Sequence, residues 1–141
     1  MLVVPSLSRI EQVIRDAWSP ETTFAKDAFL DRAADRPSRG QCVSTSLVVN
    51  DLLGGDLLVA DVATGGSVGG VHYWNRLATP ELTLDLTGDQ FLADEVLVGA
   101  QVIERPPLPR PPRARAAYLL LRERVLSGLG LPAASRTGPS S

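Results

Sequence analysis

The sequence predicts an α+β domain: an antiparallel sheet of three or more strands packed against a cysteine-bearing helix, with flanking helices. Three observations carry that prediction. Apolar residues recur at helical spacing in three segments, near residues 8–18, 41–53 and 113–129. Short alternating segments follow one another between residues 56 and 103. Clusters of glycine or proline separate them. With 141 residues the chain can build one core, expected over residues 1–129, with a disordered tail at 130–141.

Each element has its own local signal. Ser8-Arg-Ile-Glu11 reads as a capping box, and Ile10, Val13, Ile14 and Ala17 then form one helical stripe that Ser19-Pro20 stops. Residues 19–39 read as a partly packed loop around Phe24, Phe29 and Leu30. The second helix runs from about Gln41 to Leu53, burying Leu47, Val48, Leu52 and Leu53, and Gly54-Gly55 ends it. A strand at residues 56–62 leads into a glycine turn at 65–70, read as a flap beside the next strand. Val71–Leu77 and Glu81–Thr87 read as two strands of a hairpin turning through Thr79-Pro80. A helical turn is expected at 89–93 and a further strand at 96–103. The stiff Pro-rich linker 105–112 precedes a last helix with Tyr118, Leu121, Val125 and Leu129 on one stripe.

Composition excludes several functions. A net charge of −2 gives no general attraction for polyanions, so no nucleic-acid partner is expected. One cysteine rules out an intrachain disulfide, and one histidine beside it leaves no zinc-type ligand set, so neither a metal nor another cofactor is expected. No apolar run is long enough to span a membrane and the N-terminus has no signal-peptide pattern, which points to a cytoplasmic chain whose thiol stays reduced.

The two singletons, Cys42 and His72, are the candidate chemistry. Cys42 opens the second helix, where unfilled N–H groups and the positive dipole end favour a thiolate and could hold an oxyanion. His72 and Asp85 lie on the two strands of the hairpin. A turn centred between residues 78 and 79 puts them opposite each other, and one centred a residue later makes them diagonal neighbours. Both registers place the carboxylate on the imidazole's side, together with Trp74, and the alternation of Leu82, Leu84 and Leu86 with Thr83, Asp85 and Thr87 supports them. The expected roles are Cys42 as nucleophile, His72 as base and acid, and Asp85 as orienting group. Gln41 is a candidate oxyanion donor, and Trp18, Trp74 and Gln90 are candidate substrate-binding groups. Ser44, Thr45 and Ser46 are expected to hydrogen-bond within the helix, and Asn75 to lie on the face away from His72.

Taken together, Ala17-Trp-Ser-Pro-Glu-Thr22, Gly40-Gln-Cys42 with Thr45 and Leu47-Val-Val49, Leu53-Gly-Gly55, His72-Tyr-Trp-Asn75, Asp85-Leu-Thr87 and Asp89-Gln-Phe91 resemble the YunG-like family of small bacterial proteins, over roughly residues 17–126. That resemblance implies no particular activity. The order Cys, His, Asp, helix then sheet, is also similar to the papain and transglutaminase-like superfamily. There the resemblance implies the same three roles, although Gln41 adjoins the cysteine where papain-type enzymes carry a glutamine several residues upstream. The functional expectation is a thiol-dependent hydrolase or acyltransferase acting on a small-molecule or peptide amide or ester through a Cys42 thioester. The alternative is a non-catalytic domain that binds a peptide or metabolite between Trp18 and Trp74. A docking role for the Pro-rich segment is a third and weaker reading.

Overall fold

The computed structural model describes residues 5–23, 31, 35–77, 82–105 and 112–131. Phe24, Phe29 and Leu30, the Thr79-Pro80 turn, most of the Pro-rich linker and the tail from residue 132 lie outside the described residues.

The described residues form three helices and four strands, in the order α1 (Leu7–Ala17), α2 (Cys42–Leu53), β1 (Asp56–Thr64), β2 (Ser67–Leu77), β3 (Leu82–Leu84), β4 (Glu95–Ile103) and α3 (Pro112–Gly128). Single 3-10 turns lie at Pro20–Thr22 and Gly88–Gln90. The sheet is antiparallel throughout, with strand order β3-β2-β1-β4. The α+β class, the sheet and the cysteine-bearing helix are as the sequence predicts.

Helix α2 lies between the sheet and α3, and α1 packs on α3. Its apolar residues Leu47, Val48 and Val49 join Ile10, Val13 and Ile14 of α1, Leu57 of β1 and Tyr118, Leu121 and Val125 of α3 in one core. This is the expected result of apolar side chains at helical spacing finding a common apolar neighbour. At the α1 N-terminus the predicted capping box is corrected: Ser6, not Ser8, accepts from Arg9 N–H at 3.1 Å, and Ser8 lies inside the first turn.

The predicted glycine flap is also corrected. Gly65 and Gly66 alone make a tight two-residue turn, both with positive φ, as a hairpin twisting with its strands requires. Gly69 and Gly70 belong to β2, where the register slips against β1 and β2 supplies one residue more than its partner. A second slip lies in β4, where Gly99 adopts φ 70. Strand β3 is shorter than the expected 81–87, and its register pairs Asn75 with Leu84, Arg76 with Thr83 and Leu77 with Leu82. That is the second of the two registers expected, and it makes Asp85 the diagonal neighbour of His72 just beyond the strand's end. The expected helical turn at 89–93 forms one residue earlier, at Gly88–Gln90.

One buried ion pair ties the segment before α2 to β4. Arg39 Nη1 and Nη2 donate to the two Glu95 carboxylate oxygens at 2.6 and 2.9 Å, with each side chain only 2% exposed. Arg39 Nη1 also donates to the Gln90 carbonyl at 3.1 Å. Removing one partner leaves a buried charge. Arg39→Met is therefore expected to lower the unfolding free energy by about 3–5 kcal/mol in denaturant titrations, and the double variant Arg39→Met/Glu95→Leu to recover most of that loss.

Candidate functional site

Cys42 is the first residue of α2. Gly40, at φ 78, turns the chain into the helix, and the N-cap residue Gln41 makes no side-chain capping hydrogen bond among the described residues. The first-turn N–H groups therefore converge around Cys42 with their dipole uncompensated by a cap. The cysteine is free and buried, and as a thiol it donates to the Val71 carbonyl, with Sγ 4.0 Å from the oxygen.

His72, the next residue along β2, is completely buried. Its Nε2 faces both Asp85 oxygens, at 2.8 and 3.0 Å. The Gln90 side-chain nitrogen lies 3.2 Å from Nδ1. Trp74 stacks on the ring at 5.4 Å between centroids, and Phe91 meets it edge-on at 4.7 Å. Burial works against a charged imidazole. The hydrogen bond to Asp85, followed by the influence of the neighbouring Cys42 thiol and its charge, outweighs it and raises the His72 pKa from 6.5 to about 9. Burial, and then the negative charge of a Cys42 thiolate, push the Tyr73 phenol up as well.

His72 and Asp85 thus come together as the hairpin register requires. Cys42 is close enough to influence His72 and Tyr73, but its thiol hydrogen bond runs to Val71 rather than to the ring. No closed Cys-His-Asp chain of hydrogen bonds is formed among the described residues. The difference has a chemical basis: a thiol must donate, and Nδ1 already faces Gln90, whereas a thiolate can only accept.

The remaining candidates divide. Trp74 and Gln90 surround the imidazole. Gln41 is buried, but its amide is engaged by the preceding loop: Oε1 accepts from Thr22 Oγ1 at 2.6 Å and Nε2 donates to the Ser19 carbonyl at 3.0 Å. Trp18 donates from Nε1 to Thr45 Oγ1 at 2.9 Å and carries the Arg15 guanidinium 4.9 Å from its ring centre. Trp18 and Gln41 border a groove of about 400 Å³ with Thr23, Arg36 and Arg39, and Trp74 is not among its lining residues. This groove is thus one that Trp18 lines without Trp74.

Of the hydroxyl residues after Cys42, Ser46 donates to the Val43 carbonyl at 3.0 Å as expected of a helical serine, and Thr45 serves Trp18. The Ser44 hydroxyl is buried with no hydrogen-bond partner among the described residues. Asn75 donates to the Ser46 carbonyl at 3.0 Å, so it anchors β2 to α2. Sequence reasoning misses Arg39 and Glu95. An arginine and a glutamate 56 positions apart in sequence carry no pairing signal.

The YunG protein family model matches residues 6–130. The chain belongs to the YunG family. The match takes in α1, the cysteine-bearing helix, the whole sheet and α3, a wider span than the residue pattern alone suggests. No curated protein and no solved structure matches the chain. No helix among the described residues is long and apolar enough to cross a membrane. No cluster of histidine, cysteine and carboxylate side chains suited to a metal ion occurs among them either.

The raised His72 pKa has a measurable consequence for this YunG-family fold. The folded state holds the imidazole proton up to about pH 9, whereas the unfolded chain releases it near 6.5. The associated stability, on the order of 3 kcal/mol, is fully present below about pH 6.5 and lost as the pH rises through about 9. Unfolding free energies measured across that window should fall with pH in the wild-type chain. In Asp85→Asn the fall should be much smaller, because burial is left without its main opponent.

Proposed function

We propose that this YunG-family protein is a thiol-dependent acyl-transfer enzyme, with Cys42 as nucleophile, His72 as general base and acid, and Asp85 as the group that orients and charges the imidazole. One observation carries the reading: a fully buried imidazole, bonded to a carboxylate through one nitrogen, beside the lone thiol at an uncapped helix N-terminus. Burying an imidazole against a partly exposed carboxylate has a cost that an apolar pair would not carry, and such perturbed groups cluster at functional sites. The helix-then-hairpin placement of the three residues is the basis for reading the arrangement as papain or transglutaminase-like.

In the reaction, His72 Nδ1 takes the Cys42 proton. The thiolate attacks the carbonyl carbon of an amide or ester, and the first-turn N–H groups of α2 stabilise the oxyanion. The C–N or C–O bond breaks, and the leaving group takes the proton from His72 as the thioester forms. Water or an acceptor nucleophile, deprotonated by the same imidazole, attacks the thioester and returns the thiolate. Trp74 gives the ring an apolar wall.

The groove beside Trp18 favours a second reading. It opens next to the N-terminal end of α2, and a domain that binds a metabolite or peptide there needs no reaction at Cys42.

Alkylation separates the two. An activated Cys42 should react with iodoacetamide at about pH 6–7 and slow by about a hundredfold in His72→Ala. Equal and sluggish labelling of both proteins would remove the catalytic reading. Mass spectrometry of the protein after exposure to activated esters should find an acyl group on Cys42 and none in Cys42→Ser.

A further inference from the structure

The surroundings of His72 admit one of the two neutral forms of an imidazole. Asp85 is an acceptor on Nε2, so that nitrogen carries a proton. Beside Nδ1 stands the Gln90 side chain, itself buried. Which end of its amide faces the ring is decided on the far side. Gly40 N–H donates to Gln90 Oε1 at 3.1 Å, and turning the amide over would set an NH2 group against that N–H. The amide therefore presents N–H to Nδ1, which must receive it as a bare lone pair. Protonating Nδ1 makes the contact donor against donor.

We propose that Gln90 is a positioning residue that fixes the neutral His72 ring as its Nε2–H form and holds back the proton transfer from Cys42 Sγ to His72 Nδ1. The inference rests on the reading of Cys42 and His72 as nucleophile and base. The transfer moves one proton and leaves a thiolate and an imidazolium. With the ring neutral, the thiol donates to the Val71 carbonyl and the Nδ1 lone pair is taken by Gln90. In the ion-paired arrangement the thiolate accepts from Nδ1–H and the Gln90 amide gives way. A substrate that draws this amide off the ring frees the base at the moment it is needed. Among the described residues, the other charged or titratable groups around the pair are Asp85 on Nε2 and Tyr73 on β2, which senses the thiolate's charge. Arg39, bonded to the Gln90 carbonyl, is matched by Glu95. Trp74 and Phe91 cover the ring without charge.

The test uses the fact that the chain has one histidine and one cysteine, so ring nitrogen signals and alkylation belong to His72 and Cys42 alone. Gln90→Leu removes the donor. It should raise the His72 titration midpoint by about one pH unit, a tenfold change in the proton affinity of the ring. Gln90→Glu sets a carboxylate oxygen against Nδ1–H. It should raise the midpoint further, because the carboxylate favours the charged ring. A residue that merely packs the site would act the other way, with both variants loosening the surroundings and moving the midpoint down towards that of an ordinary histidine. That result overturns the proposal. If neither variant folds, the wild-type chain decides: above the His72 midpoint, nitrogen NMR should show Nε2 protonated and Nδ1 bare, and the opposite tautomer overturns the proposal. The ring measurements need no substrate, so they can succeed in a chain that forms no thioester and fail in one that does.

Discussion

The hydrogen bond between His72 Nε2 and Asp85 is the constraint on which the site depends. An imidazole with no exposed surface cannot be solvated, so a protein group must supply what water would have supplied. Asp85 does so with both oxygens, and at 27% exposure its side chain keeps some contact with solvent. The pair is thus buried at the base and open at the carboxylate, a less costly arrangement than burying both charges. The diagonal register of β2 and β3 makes this geometry possible, because it carries Asp85 just past the paired strand and into the turn.

Around that bond the chain builds a frame from distant segments. Arg39 holds β4 through Glu95 and the Gly88–Gln90 turn through the Gln90 carbonyl. Gly40 meets the side chain of the same glutamine, and two residues later Cys42 begins α2. On the outer side, Arg15 of α1 donates to the Leu86 carbonyl at 3.1 Å and to Asp89 at 3.0 Å, so the turn is held from the helical layer as well. Backbone groups that would be orphaned at a buried turn find guanidinium donors instead.

Much of this is legible in the sequence, and the failures have physical causes. The core stripes of α1 and α3 follow largely from spacing, because burying an apolar stripe is the strongest driving force open to a chain of this size, whereas in α2 Val49 is buried in place of Leu52 and Leu53, which stay partly exposed. The His72–Asp85 pairing is readable because side chains alternate strictly along a strand, so parity alone decides which residues share a face. The Ser8 capping box fails because a motif of short polar residues fits equally well one or two positions away, and Ser6 wins by standing just outside the first turn. Gln41 and Gln90 carry no local signal that could tell them apart. One is drawn to the Ser19–Thr22 loop and the other to the imidazole by contacts that exist only after folding. Nothing near Trp18 in sequence announces Thr45 as its hydrogen-bond partner either.

Asp85 and Gln90, which flank the imidazole, come from one short stretch of chain closed on itself by Gly88 N–H to the Asp85 carbonyl at 3.2 Å and Gln90 N–H to the Thr87 carbonyl at 3.0 Å. The two ring nitrogens are therefore not served by independent supports. Any displacement of that stretch as a unit, by a ligand, a neighbouring loop or an inserted residue, takes both partners from the imidazole together. The two ring nitrogens therefore keep or lose their partners together.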